Sequence, residues 1–487
     1  MFGPSKRISL VTALMLAAAI LVPSVSSVAA GAEPCPAPTE DLQFEMHYID
    51  EHRAGGEPMV TTLDDGTLLW GSHAGTTHFF APEVQGAKTS AFVENYKGQT
   101  YQYYSTDDGA TWTFVERDPI AAAPGSGAPA SGFSDPEFAV DQAGNVYISE
   151  INLANVAVSK STDGGKSYEL ASLASIILTD RQWTAADEED VLYMTANGQS
   201  LSRNGTVPGG HYLVKSTDGG QTFSAYEYPN PNGVGDIKVD WSDGTLYELS
   251  ATSAGSNVTL SMAAFRDIRD RSSDFAQGIE LNPIAEGAGM SPINRLIDPT
   301  FDIDDQGNLY ATWSENGTGT EGRPPGIYYS FSTDRGLTWA PPQRVDTDGH
   351  TAVWPWLTVG DPGQVAINYF QTERQLANNN AETAEDTDGW NVMTAFTHNG
   401  LGCVDSTQPG FAEVQSSSEP VHYGTICQGG TLCQAEAVDR RLGDYFANEI
   451  DGNGNLYISV SDTRQGGSVS LPLVIRQTGG PTFTSGS

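Results

Sequence analysis

"STDGGKSY" (161–168) returns as "STDDGATW" (105–112), "STDGGQTF" (216–223) and "STDRGLTW" (332–339), while the sequence between the copies diverges. Ser105, Ser161, Ser216 and Ser332 each end an apolar, aromatic-rich run such as "TYQYYS" or "HYLVKS", which reads as a strand. The Asp two residues on accepts backbone N–H groups inside a tight turn. The glycine at the fifth position (Gly109, Gly165, Gly220, Gly336) supplies a backbone with positive φ. The aromatic at the eighth position (Trp112, Tyr168, Phe223, Trp339) starts the return strand and packs beneath the turn. Turn chemistry accounts for every position, so the repeat is read as a fold element and not as a reagent.

The copies start 56, 55 and 116 residues apart, and the last interval is about two periods. One unit is therefore expected to have lost its hairpin within "TLSMAAFRDIRDRSSDF" (259–275). A second element fills the other half of each period: a short strand, an Asp/Gly turn and a β-branched or aromatic strand. It occurs at 56–70, 134–149, 180–194, 235–249, 297–313, 353–369 and 443–460. Seven such units with little helical patterning predict an all-β propeller of four-stranded antiparallel blades, with the hairpin repeat between strands three and four. Six blades is the alternative. "LQFEMHYI" (42–49) is expected to pair beside "SLPLVIRQ" (470–477), closing the ring and removing exposed sheet edges.

The four hairpins resemble the Asp-box (BNR) repeats of the sialidase superfamily, and the resemblance covers nearly the whole mature chain. It implies a propeller whose Asp boxes lie on the face away from the active site. Family sialidases have six blades, so seven units is a departure. They also carry an Arg-Ile-Pro motif on the first inner strand, whose Arg helps to hold the substrate carboxylate. The matching stretch here is "GEPMV", with Gly56 where that Arg would fall. The acid/base Asp expected shortly after strand two is missing as well, where "GSHAGTTH" offers His73 and His78. The resemblance would make Arg295 or Arg441 later triad members and Tyr445 or Tyr369 the nucleophile, with Glu248 or Glu315 as its base.

The chain opens with Lys6 and Arg7, then "LVTALMLAAAILV" and "AAGA". This is the pattern of a secretory signal peptide (1–32) cut near Ala32. A linker (33–41), one propeller domain (42–480) and a short tail (481–487) are expected to follow, in a secreted, monomeric protein without membrane insertion. Four cysteines allow three pairings in an exported chain. The Gly-rich "CQGGTLC" favours Cys427–Cys433, leaving Cys35–Cys403; no CxxC or His pair supports a zinc site. With 61 acidic against 24 basic residues the formal charge is −37, and no Lys follows Lys238. Such a field repels nucleic acid and anionic membranes and favours cations or neutral partners. No cofactor is required; "DTDGH" (346–350) and "AEDTDGW" (384–390) have the oxygen ligands for calcium, whereas "DGNGN" (451–455) reads as a turn.

In a propeller, the start of each first strand and the end of each second strand meet at one face. The first-strand starts are Glu57, Asp135, Arg181, Asp236, Asp298, Trp354 and Asp444; the second-strand ends include His73, Glu150, Glu248, Glu315 and Asp462. Carboxylates, a few Arg and several Trp are what a glycan or polysaccharide site needs: acid, base and nucleophile, bidentate contacts, and stacking faces. Asp135, Asp298, Glu315, Asp444, Glu248 and Tyr445 are the catalytic candidates. Arg181, Trp183, Arg295, Arg441, His73, His78, Trp354 and Trp356 are the binding candidates. The bland alternative for each carboxylate is architectural, since Asp at a strand start often caps a neighbouring strand. The sequence thus points to a glycoside hydrolase acting on something other than ordinary sialosides, with a non-catalytic binding propeller and, third, a polysaccharide lyase as rivals.

Overall fold

The computed structural model describes residues 33–73, 100–116, 132, 134–151, 155–174, 179–198, 210–225, 227, 229–254, 257–288, 299–315, 324–430, 433, 438–465 and 469–484. Seven antiparallel sheets succeed one another along the chain as the blades of a propeller. Their inner strands are Gly56–Thr62, Ser134–Val140, Thr179–Ala186, Gly233–Asp240, Thr300–Ile303, Ala352–Val359 and Asn448–Ile450, numbered here as blades 1 to 7. Each overlaps one of the seven sequence units, three of them starting one or two residues ahead of it. Among the described residues blade 3 has three strands, with Leu213 and Glu227 forming an isolated bridge where a fourth would run. The ring closes as expected: Gln43–Tyr48 pairs antiparallel with Leu471–Gly479, with Phe44 opposite Gln477 and Tyr48 opposite Leu473. No helix among the described residues is long and apolar enough to cross a membrane.

Both disulfides form as the sequence suggests. Cys35–Cys403 ties the segment ahead of the closing strand to blade 6 across 368 residues, and Cys427–Cys433 clips a short loop.

The repeated eight-residue turns are built alike. At 105–112, Ser105 Oγ accepts from Gly109 N at 3.0 Å, Asp107 Oδ1 accepts from Thr111 N at 2.9 Å, and Trp112 Nε1 donates to Gly109 O at 3.0 Å. Gly109 has φ of 77°, where a side chain would be strained. In blade 1, Leu68 lies opposite Ser105 while Gly56 lies opposite His73, so the turn sits at the far end of the blade from Glu57 and His73. In blade 4 a connection containing the 3-10 turn Ile268–Asp270 replaces this hairpin, within the stretch expected to lack it. Asp451 of "DGNGN" accepts from the N–H groups of Asn453 and Asn455, as a turn residue would.

One irregularity recurs at the other face. Pairing with the second strand is interrupted between Gly56 and Met59, Ser134 and Glu137, Asp180 and Trp183, Gly233 and Ile237, and Val353 and Trp356. Inside these bulges Glu57, Asp135, Arg181, Asp236 and Trp354 have φ of 48° to 57°. A non-glycine residue held there costs about 1–3 kcal/mol, tolerated where it re-aims a side chain. Pro58, Pro136 and Pro355 follow three of them, and proline suits a bulge because it has no N–H to leave unpaired.

Candidate functional site

The bulges turn a ring of polar side chains into the mouth of the central channel. Glu57 and Asp135, on adjacent blades, meet His73 from the end of the second strand of blade 1; one donor atom from each lies within 4.8 Å of the others. Glu57 and His73 are 3% and 2% exposed, while Asp135 is only partly buried and opens toward the mouth. Across from them Asp444 is held by two arginines. Arg181 Nη2 lies 3.1 Å from Asp444 Oδ2, and Arg440 Nη1 bonds Asp444 Oδ1. Arg440 also reaches Glu57 Oε1 at 3.5 Å, which links the two halves of the site.

The carboxyl groups are driven in opposite directions. Burial, then the charges of Asp135 and Asp444, push the Glu57 carboxyl well above its ordinary range, and a hydrogen bond with Asp135 adds to the effect. Burial also works to raise Asp444, but Arg440 and then Arg181 outweigh it and hold that carboxyl below the usual range. Glu57, His73 and Asp135 are the described residues able to hold a metal ion here. Arg440 and the Glu57–Asp135 hydrogen bond also act on these paired carboxyl groups.

An aromatic floor closes the site, built from Trp183 and Trp356, each two residues past a left-handed position, and from Tyr445, next to Asp444 and ahead of the inner strand of blade 7. Trp183, Trp356 and Tyr445 form a triangle with ring centroids 5.7–6.0 Å apart and mutual tilts of 33–51°. Gly235 must be glycine, since a Cβ there would lie 1.9 Å from Trp183 Nε1. At the same level or below, the channel is lined by Glu137, which accepts from Thr184 N at 2.6 Å, and by Lys238, 3.6 Å from Asp302.

The structure therefore brings together Asp135, Asp444, Tyr445, Arg181, Trp183, Trp356 and His73 from the sequence candidates. Others are engaged elsewhere. Glu248 bonds His211 Nε2 and accepts from Asn230 Nδ2 at 2.7 Å in a buried network between blades. Glu315 accepts from Trp313 Nε1 at 3.0 Å. Arg441 forks onto its neighbour Asp439, and Trp354 packs into the core against Phe370. Of the calcium stretches, Asp346 is paired with Arg344 and Asp388 with Arg374. Asp298, Arg295 and His78 lie outside the described residues. Arg440 is a site residue that sequence reasoning passes over, and Glu57 is one it meets only as a strand start. The Glu-Pro, Asp-Pro and Trp-Pro pairs were the available signal for the bulges.

Comparison with family models and with curated proteins finds no match. Among solved structures, a protein of unknown function from Dyadobacter fermentans DSM 18053 aligns over 90% of this chain and 99% of its own, with a TM-score of 0.43 and 12% identity. The α-L-arabinofuranosidase Arb93A from Fusarium graminearum aligns over 90% and 98%, with a TM-score of 0.42 and 12% identity. The intramolecular trans-sialidase from Ruminococcus gnavus aligns over 88% and 96%, with a TM-score of 0.38 and 12% identity. Likenesses this distant assign no activity, and the site has to be understood from its own residues.

Proposed function

We propose that the funnel is the active site of an exported glycoside hydrolase whose substrate is not an ordinary sialoside. The observation that carries this reading is the geometry of two buried carboxyl groups bridged by Arg440: Glu57 sits against Asp135, which favours its protonated form, whereas Asp444 is clamped by Arg440 and Arg181, which favours its ionised form. Cleavage of a glycosidic bond needs a proton for the leaving oxygen and negative charge for the oxocarbenium-like transition state. Environments that push two carboxyl groups apart at one pH supply that division of labour. Glu57, protonated, donates to the leaving oxygen. Asp135 shares its hydrogen bond and extends it toward the open end, and Asp444 stays ionised opposite. Arg181 and Arg440 are both engaged by Asp444, so neither is free to receive a substrate carboxylate. That supports a substrate other than a sialoside.

The test is mass-spectrometric product release from a panel of neutral, amino, uronic-acid and sialylated glycans. Release by the wild type and its loss in Glu57→Gln, with folding intact, is the expected result. No release from any member, by a folded protein that still binds glycan, would leave a binding propeller instead.

A further inference from the structure

We infer that the funnel captures a sugar bearing a free, protonated amino group. The inference names the substrate class of the glycosidase reading above and rests on it for what happens after capture. The charge balance comes first. Glu57, Asp135, Glu137, Asp180 and Asp444 act on one another across the site, whereas the cations among them are Arg181 and Arg440, with Lys238 acting on Glu137 from deeper in the channel. Both arginines are bound to Asp444, and the half-buried Asp135 and the exposed Asp180 are at the mouth.

The floor supplies an independent observation. Trp183, Trp356 and Tyr445 are three tilted rings packed against one another, 4%, 7% and 6% exposed, and the negative face of such a ring attracts an ammonium group brought against it. Tyr445 is 6% exposed, and its hydroxyl bonds to no described residue although Asp135, Glu57, Glu137 and Asp444 surround it. That hydroxyl oxygen therefore keeps its lone pairs available to a ligand. A primary ammonium has three donors and no acceptor, and it matches this set. The Asp135 carboxylate and the Tyr445 oxygen accept, and the aromatic rings offset the charge. An N-acetylated sugar lacks the cation, and a uronic or sialic acid brings a repelled carboxylate. The chain's overall charge of −37 acts in the same direction at long range.

The experiment is calorimetric titration of the full protein with glucosamine oligosaccharides and their N-acetylated counterparts, near pH 6 and in EDTA so that no metal bridges them. The free-amine form is expected to bind at least about tenfold more tightly, the order expected for one desolvated charge contact. Asp135→Asn should bring the two forms to parity, and Tyr445→Phe should narrow the gap severalfold. If Asp135→Asn fails to fold, Tyr445→Phe carries the test, since it removes a hydroxyl that no described residue uses. Equal binding of the two forms overturns the inference. So does a preference that survives both substitutions, because it would then belong to the overall field. Selective binding without turnover would sink the hydrolase reading and leave this one standing; turnover of neutral glycosides without amine selectivity would do the reverse.

Discussion

Asp163, in the outer turn of blade 2, and Asp444, in the funnel, both titrate below the ordinary carboxylate range, and they do so by different routes. The slight burial of Asp163 is outweighed by the hydroxyls of Ser167 and Ser161 and by nearby backbone N–H groups. All its partners lie within four residues. Asp444 is buried, and it stays ionised only because Arg440 and Arg181 reach it, the latter from 263 positions away. Glu57, sharing Arg440 from 383 positions away, moves in the opposite direction. A carboxylate served by its own turn can be interpreted from eight letters. One served by other blades has a charge state that depends on the whole ring.

The comparison can be broken hardest at Glu57. Glu57→Gln should lower turnover by about 10²- to 10⁴-fold, the range for a general acid, with a melting temperature close to wild type. Loss of stability with unchanged turnover would make Glu57 architectural. The same group sets the pH profile. Because its carboxyl is raised, activity should persist above the ordinary carboxylate range and fall on the alkaline side as the proton is lost. A profile that instead falls only on the acid side would sink the assignment.

Asp444→Ala comes next, since it leaves Arg181 and Arg440 buried without their shared partner. Breaking one side of a buried pair costs about 3–5 kcal/mol, measurable by denaturant unfolding. A smaller probe is Glu449, in the channel below the floor. Burial, and secondarily Asp302, push its carboxyl up to about 8 from a reference of 4.5, with Lys238 opposing. The folded protein then binds more protons than the unfolded chain between those values, so Glu449 lowers stability as pH rises through that window. Glu449→Gln should raise the melting temperature at pH 9 and leave it unchanged near pH 4; the opposite order would refute the assignment. The smallest effect is expected at Asp163→Ala, about 0.5–1 kcal/mol for exposed turn bonds, with turnover unaltered.

Much of the fold was legible in the sequence because it rests on local rules. The seven strand–turn–strand units, the unit lacking its hairpin, the closing strand 42–49 and both disulfides follow from alternation, turn residues and spacing. The candidate site was legible in part. The strand starts were marked, and five of them are left-handed positions; three of these, Glu57, Asp135 and Arg181, meet at the funnel, whereas Trp354 packs into the core and Asp236 accepts from Phe301 N. The choice among them was not. Glu315 ends its strand and Glu248 lies within a longer one, opposite Ile237, and they are consumed by Trp313 and His211. Arg440 and Arg441 are adjacent and alike in sequence; one enters the funnel while the other folds back onto Asp439.

What the sequence by itself determined, then, is the repeat, its count and its closure, because strand alternation, turn capping and cysteine spacing act over a few residues. What only the tertiary structure decided is which carboxyl groups share a proton, which are clamped by arginine, and which aromatic rings form a floor. Those outcomes depend on bulges that redirect single side chains and on charges brought together from blades hundreds of residues apart. Coulombic coupling and desolvation act through space, so no local pattern in the chain encodes them.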